Sequence, residues 1–269
     1  AANPEHVLRT YELLAAAYDL GVYLGCCGAP AYWAGDDARH AADLAEIRTT
    51  WERLGRPTMV FACATCSMLF GAFLPEIPRV SVYELLATCA DLAPMTPFAQ
   101  AAVFDPCAAR DDTGMEAAVR GLARSAGATL EELEDKNRCC GHGGHIRLAN
   151  PALYDEITHN RAASSDLPYL VYCANCREVF AARGKPCAHI LDVVFGLEAG
   201  GPIPTLAQKR DNSIRVKREL MKQTQGAEFE PQRNEWDGLD LVISDDVQQE
   251  MDQKLISASD VKETIWAAE

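Results

Sequence analysis

The sequence predicts an α/β fold: two duplicated units, each a small, mostly parallel sheet flanked by helices with cysteine loops at the strand C-terminal ends, followed by a helical C-terminal tail. Three observations carry this expectation. Short apolar segments of strand length alternate with helical stretches, the order expected of a parallel sheet with covering helices. Apart from Cys89 and Cys187, the cysteines fall into two copies of one pattern, and each copy sits where apolar segments end. Landmarks also recur at a nearly constant spacing: Cys139 lies 113 residues after Cys26, Cys173 lies 110 after Cys63, and Ile190 lies 108 after Val82. Self-similarity of this kind marks an internal duplication.

Taken in order, Asn3 caps a helix with Pro4 at its first position, and Val7, Tyr11, Leu14, Ala15 and Tyr18 form its apolar stripe, ending at Gly21. Residues 22–24 read as a short strand entering Gly25-Cys26-Cys27-Gly28. A polar helix over about 36–54 follows, with Ala38, Ala41, Leu44 and Ile47 as its inner face. Residues 58–62 read as a fully buried strand ending at Cys63-Ala64-Thr65-Cys66, which opens a helix. A brief strand at 80–82 leads into Tyr83-Glu84-Leu85-Leu86.

Pro94 and Pro97 mark a boundary, and the same order begins again. Residues 101–104 form a strand ending at Asp105-Pro106-Cys107. Asp111 or Asp112 caps a helix with the stripe Met115, Val119, Leu122, Ala123 and Ala126, stopped by Gly127. Cys139-Cys140-Gly141 follows, then a helix near 151–163, a strand at 167–172 entering Cys173-Ala174-Asn175-Cys176, and Ile190-Leu191-Asp192 echoing Val82-Tyr83-Glu84. The expected domains are therefore 1–95, 96–196, and a linker with helical tail at 197–269. The tail is expected to hold a charged helix at 214–222 and two helices capped by Asp245 and Ser259, and it has neither cysteine nor histidine. It reads as an interaction arm or the first part of another module. In the first unit the repeat spacing puts the counterpart of Cys107 before Ala1. The sequence thus reads as a piece of a longer polypeptide whose preceding strand and fifth cysteine are missing.

Composition narrows the function classes. The 269 residues are 48% hydrophobic, enough to bury a core, and carry a net charge of −14. That charge argues against nucleic acid or anionic lipid as partner. No apolar run is long enough to span a membrane, and no secretory signal opens the chain. Eleven cysteines without such a signal read as metal ligands or redox thiols in a reducing compartment, here the cytoplasm, including the periphery of a membrane complex.

The second copy supplies five thiols, Cys107, Cys139, Cys140, Cys173 and Cys176, from three loops, more than a tetrahedral zinc accepts. A multi-iron cluster would use all five, with structural zinc or a dithiol–disulfide pair as the competing readings. Gly141, Gly143 and Gly144 would let backbone N–H groups approach a cluster closely. His142 and His145 read either as proton relays or as polar loop residues. Asp105 reads as a hydrogen-bond partner of the Cys107 loop or as part of an Asp-Pro turn. Cys89 and Cys187 read as small buried hydrophobes, His189 as a core residue or one supporting the site, and Trp33 and Trp51 as packing. No Gly-x-Gly-x-x-Gly dinucleotide fingerprint occurs, so flavin or NAD would have to be bound by another region or subunit.

Cys…Cys-Cys-Gly…Cys-x-x-Cys in tandem resembles the cysteine-rich CCG domain family typified by the tandem-CCG subunit of heterodisulfide reductase, which includes iron–sulfur subunits of glycolate, lactate and glycerol-3-phosphate oxidising complexes. The resemblance covers residues 1–196. It implies paired α/β domains, and a non-cubane 4Fe-4S cluster on Cys107, Cys139, Cys140, Cys173 and Cys176, with Gly143 and Gly144 beside it. It further implies an iron–sulfur electron-transfer subunit of an oxidoreductase complex. Electrons would come from partner subunits or domains carrying flavin and ferredoxin-type clusters, and would go to a disulfide, quinone or carrier. Heterodisulfide reductases cleave a disulfide in two one-electron steps, which would put Cys107 at the reacting centre, with His142 and His145 beside it if they serve as proton relays. Cys26, Cys27, Cys63 and Cys66 match four of the five positions in the first copy and imply a second iron–sulfur cluster or a zinc. Ala108 stands where Asp-Pro-Cys-His versions of the motif have histidine, which weakens any claim to one substrate. A zinc-stabilised assembly module that docks redox partners is the alternative function.

Overall fold

Asn3 Oδ1 accepts a hydrogen bond from the Glu5 amide at 3.0 Å, and Pro4 opens α1 (Pro4–Ala15), as its cap chemistry dictates. The computed structural model describes residues 2–89, 94–231 and 234–268. Residues 1 and 269, the outer limits of the expected first domain and tail, lie outside them. After α1 come α2 (Ala29–Ala34), α3 (Asp37–Arg53), β1 (Met59–Phe61), α4 (Ala64–Phe73), β2 (Arg79–Ser81) and α5 (Val82–Leu86). The order then recurs through β3 (Gln100–Phe104), α6 (Thr113–Ser125), β4 (Thr129–Glu132), α7 (Ile146–Ala149), α8 (Pro151–Ala162), β5 (Tyr169–Val171), α9 (Ala174–Ala182), β6 (Cys187–His189) and α10 (Ile190–Phe195). Three helices close the chain: α11 (Leu206–Gln225), α12 (Asp245–Lys254) and α13 (Ala258–Ala267).

Among the described residues every strand pairing is parallel. One sheet has the order β1-β2, the other β4-β3-β5-β6. The duplication is visible in the pairing of β1 with β2 and of β5 with β6, each followed by a short helix with a capping box. Ser81 and Glu84 form that box before α5, His189 and Asp192 before α10. His189 is thus fixed as a helix cap, its Nδ1 accepting from the Leu191 amide at 3.2 Å. The larger sheet has an apolar core in which Phe104, Tyr169 and Phe180 meet edge-on or tilted at centroid distances of 4.6–5.8 Å.

The chain divides into two compact units, Gly25–Gly201, which holds both sheets, and Ala1–Leu24 with Pro202–Glu269. In the second of these, α1 packs on α11 through Leu8, Val216 and Leu220, with Val22 and Leu24 against them. This corrects two expectations. Residues 22–24 pair with no strand among the described residues and instead extend that small apolar cluster. The buried face of α1 is Pro4, Leu8 and Leu14, while Val7 and Tyr18 are exposed, because α11 sets the inward face. Leu220→Ala should therefore cost about 2–5 kcal/mol, as large-to-small changes at buried sites do, and melt the α1–α11 contact first. Hydrogen exchange of α1 amides checks this.

Other corrections follow from tertiary packing. In α3 the buried residues are His40, Ile47 and Trp51, whereas Ala38 and Ala41 face solvent. Trp51 Nε1 donates to the Pro57 carbonyl at 2.8 Å, which ties the helix end to the entry of β1. β1 buries Phe61 alone, since a two-stranded sheet leaves Met59 and Val60 half-covered. β4 carries Glu131 and Glu132 and has too little apolar character to be read as a strand. The charged tail helix runs from Leu206 to Gln225, longer than expected, and Ser244 and Ser257 occupy the cap positions assigned to Asp245 and Ser259. Among the described residues no helix is long and apolar enough to cross a membrane.

Candidate metal centre

β1 and β5 each end one residue before a stretch that turns into a helix, so Cys63 and Cys173 occupy the N-cap positions of α4 and α9 in extended conformation. A sulfur at that position faces unpaired helix amides, which favour negative charge. Cys66 and Cys176 lie within the first turns of the same helices and point back toward the Cys-Cys-Gly loops. The Cys66 Sγ lies 3.1 Å from Cys27 Sγ, and the Cys176 Sγ lies 3.2 Å from Cys140 Sγ. Both separations are far beyond the roughly 2 Å of a disulfide bond, and all eleven thiols are free.

The two sets share one electrostatic arrangement. The Cys66 thiol donates toward its partners, which lowers Cys27 to about 7 and Cys63 to about 6. The same interactions, with Cys27 first and Cys63 second, push Cys66 far up. In the second set Cys176 donates and is raised, and Cys173 is lowered through its hydrogen bond with Cys176. Cys139 is held lowest by hydrogen bonds from Cys107 first and Cys140 second, with the Gly141 and Gly143 amides adding support. Gly141 N reaches Cys139 Sγ at 3.3 Å. In each set some sulfurs are drawn toward the thiolate at the expense of others: Cys107 and Cys140, both hydrogen-bonded to Cys139, are pushed up as Cys139 is lowered.

Burial grades across each set. Cys140 and Cys176 lie in the core, Cys27, Cys66 and Cys173 are half-buried, and Cys26, Cys63, Cys107 and Cys139 are exposed. Inner sulfurs are thus pinned and an outer row is open. Cys187 is buried beside Arg177, its thiol donating to that carbonyl at 3.5 Å, and Cys89 is half-buried with its thiol toward the Leu85 carbonyl. Among the described residues no three His, Cys, Asp or Glu side chains stand as a ready-made site for a single ion.

Gly141 explains why the loop needs glycine. Its φ is +97°, and a Cβ there would lie 2.9 Å from Thr158 Cγ2 on α8. Gly141→Ala should destabilise the folded chain by about 1–3 kcal/mol through strain and overpacking. Thermal unfolding of the metal-free protein checks the prediction. Gly143 lies half-buried and Gly144, at φ +67°, is exposed. His145, also left-handed, is exposed and lies edge-on to Trp33 at 6.3 Å, and His142 is half-buried.

The sequence did not reveal the supports beneath the loops. Asp105 turns away from Cys107. Its carboxylate grips Arg120 at 3.0 and 2.7 Å and accepts the Tyr172 hydroxyl at 2.6 Å. Arg120 also pairs with Glu132 at 2.5 and 2.7 Å. Burial first, then Asp105, holds the Tyr172 phenol well above its ordinary range. Tyr83, fully buried on α5, directs its hydroxyl at the carbonyls of Ala62 and Tyr172, each at 3.1 Å. Those are the residues immediately before Cys63 and Cys173. One signal was available: Tyr83 corresponds to Leu191 in the repeat, so the hydroxyl breaks the internal symmetry.

A cysteine-rich domain model, CCG, matches residues 4–71 and 101–177, more than half of the chain and both thiol sets. The chain belongs to the CCG cysteine-rich domain family. Among curated proteins it is similar to a subunit of fumarate reductase (CoM/CoB) from Methanothermobacter marburgensis, with 27% identity over 143 residues. That match covers 51% of this chain and 29% of the relative. The tandem CCG assignment agrees with the duplication seen in the strand order and in the two capping boxes.

Proposed function

We propose that this chain is an iron–sulfur electron-transfer subunit of a heterodisulfide-reductase-like oxidoreductase complex. In this reading Cys107, Cys139, Cys140, Cys173 and Cys176 hold a non-cubane 4Fe-4S cluster, and Cys26, Cys27, Cys63 and Cys66 hold a second iron–sulfur cluster or a zinc. The carrying observation is the buried, unlinked pair Cys140 and Cys176, 3.2 Å apart from positions 36 residues distant, with three further motif thiols on the adjoining loops. The donor chemistry fits such a group: thiolates at helix N-termini, with a backbone amide on the Cys139 sulfur. When bound, the cluster would supply one-electron redox chemistry.

The chain's own residues then have defined tasks. The α4 and α9 N-termini and the Gly141 and Gly143 amides stabilise negative charge at the sulfurs. Cys140 and Cys176 anchor the inner side in the core. Exposed Cys107 and Cys139, with the 143–145 loop, leave an outer side where a disulfide, quinone or carrier can approach, and His142 and His145 can hold a proton there. In the tandem reading, domains 1–95 and 96–196 each carry a thiol set. The tail at 197–269 serves as an arm toward partner subunits carrying flavin and ferredoxin-type clusters. The reductase component that it resembles supports a setting in a multi-subunit complex.

Anaerobic analysis of iron, acid-labile sulfide and zinc, with EPR of the oxidised and reduced protein, tests the proposal. Iron and sulfide at about four or more per chain and a brown visible spectrum are expected for a 4Fe-4S protein. Zinc alone in both sets, in protein never exposed to oxygen, would replace this reading with that of a docking module.

A further inference from the structure

One hydroxyl reaches the strand ends of both thiol sets. Tyr83 lies on the first copy's α5, is fully buried, and contacts Tyr172 of the second copy ring to ring at 5.9 Å and 78°. Its hydroxyl has a single proton, yet two carbonyl oxygens stand at 3.1 Å, one on each cysteine-bearing strand end. Ala62 O belongs to the same peptide group as the Cys63 amide, and Tyr172 O to that of the Cys173 amide. A hydrogen bond to either carbonyl fixes the plane of the peptide from which the following cysteine departs. Strengthening one bond weakens the other, because both draw on one proton. Nothing of this kind exists in the symmetry-related position, where Leu191 has no hydroxyl.

We propose that Tyr83 is the positioning residue that couples the two thiol sites, so that occupancy or redox state at one strand end alters the other through the shared hydroxyl. The proposal rests on the reading of both sets as metal or cluster sites, and it deepens that reading by assigning a route between them. Filling the first set would shift the Cys63 strand end, change the share of the proton held by Ala62 O, and so move the peptide that carries Cys173.

The experiment is a double-mutant cycle on the whole chain. Cys63→Ser with Cys66→Ser empties the first set, and Tyr83→Phe removes only the hydroxyl. In loaded protein the midpoint potential of the second site is followed by EPR-monitored titration. In metal-free protein the alkylation rate of Cys173 is followed by mass spectrometry, which needs no cluster at all. Emptying the first set should shift both quantities when Tyr83 is present, and the shifts should be clearly smaller in the Tyr83→Phe background, where only the direct charge effect of Cys63 on Cys173 remains. Equal shifts in the two backgrounds would overturn the coupling role. Absence of iron and sulfide from the native chain would instead overturn the cluster reading, and the alkylation cycle would still decide the fate of Tyr83. Should Tyr83→Phe fail to fold, 3-fluorotyrosine at position 83 keeps the hydroxyl while making it a stronger donor. An enlarged shift is then expected, and an unchanged one overturns the proposal.

Discussion

If the second thiol set holds the proposed cluster, Cys140→Ser is expected to abolish it while leaving any metal bound by the first set in place. Cys140 is 5% exposed, and its sulfur sits 3.2 Å from that of Cys176 in the core, out of reach of solvent. A hydroxyl is a poor replacement for a soft thiolate at an iron–sulfur site. Serine is close in size, and the fold should survive with a loss of about 1 kcal/mol, the scale of one altered buried hydrogen bond. Cys187→Ser is the matched control. Cys187 is equally buried yet hydrogen-bonds a backbone carbonyl outside both sets, so iron and sulfide should stay unchanged. Metal analysis and visible absorption of the two variants separate these outcomes. Equal loss in both would mean that burial, not ligation, governs the metal content.

The second large effect falls on stability. Asp105→Ala strips a 2%-exposed carboxylate from Arg120 and from the Tyr172 hydroxyl at once. Removing one partner of a buried ion pair typically costs about 3–5 kcal/mol, because the remaining charge is left without compensation. Glu132 still contacts Arg120, which places the expected loss near the low end, about 3 kcal/mol. Against a total stability of about 5–15 kcal/mol this is a large fraction. Asp105→Asn, which keeps an acceptor for Tyr172, should cost less, and Glu132→Gln, on a half-exposed side chain, about 1 kcal/mol or less. Urea unfolding of metal-free protein gives all three values. A further consequence reaches function. Asp105 ties the Cys107 strand end to Tyr172, the residue before Cys173, so its loss should also loosen the second thiol set.

What could be read from the sequence were the features that local chemistry decides. Asn3 and Asp112 announce their helices by capping within three residues, and Cys63 and Cys173 announce strand ends because apolar runs stop there. The duplication was legible as spacing, and the two thiol sets with it. What stayed hidden depends on partners far along the chain. The inward face of α1 is chosen by α11, some two hundred residues later, so Leu8 is buried and Val7 and Tyr18 are exposed, while Tyr11 and Leu14 of the expected stripe do face inward. Residues 22–24 have strand composition but no strand beside them among the described residues. Asp105 meets Tyr172 across 67 residues and Tyr83 meets it across 89, and no local pattern records either bond. The glycine at 141 was read as room for a cluster. The structure adds that its missing Cβ is also room for α8.

The most direct test of the central claim is anomalous diffraction at the iron and zinc edges from anaerobically grown crystals of the whole chain. Iron density among the sulfurs of Cys107, Cys139, Cys140, Cys173 and Cys176, from more than one iron, is the expected result. Zinc in both sets, or disulfides joining the paired cysteines with no metal at all, would contradict it.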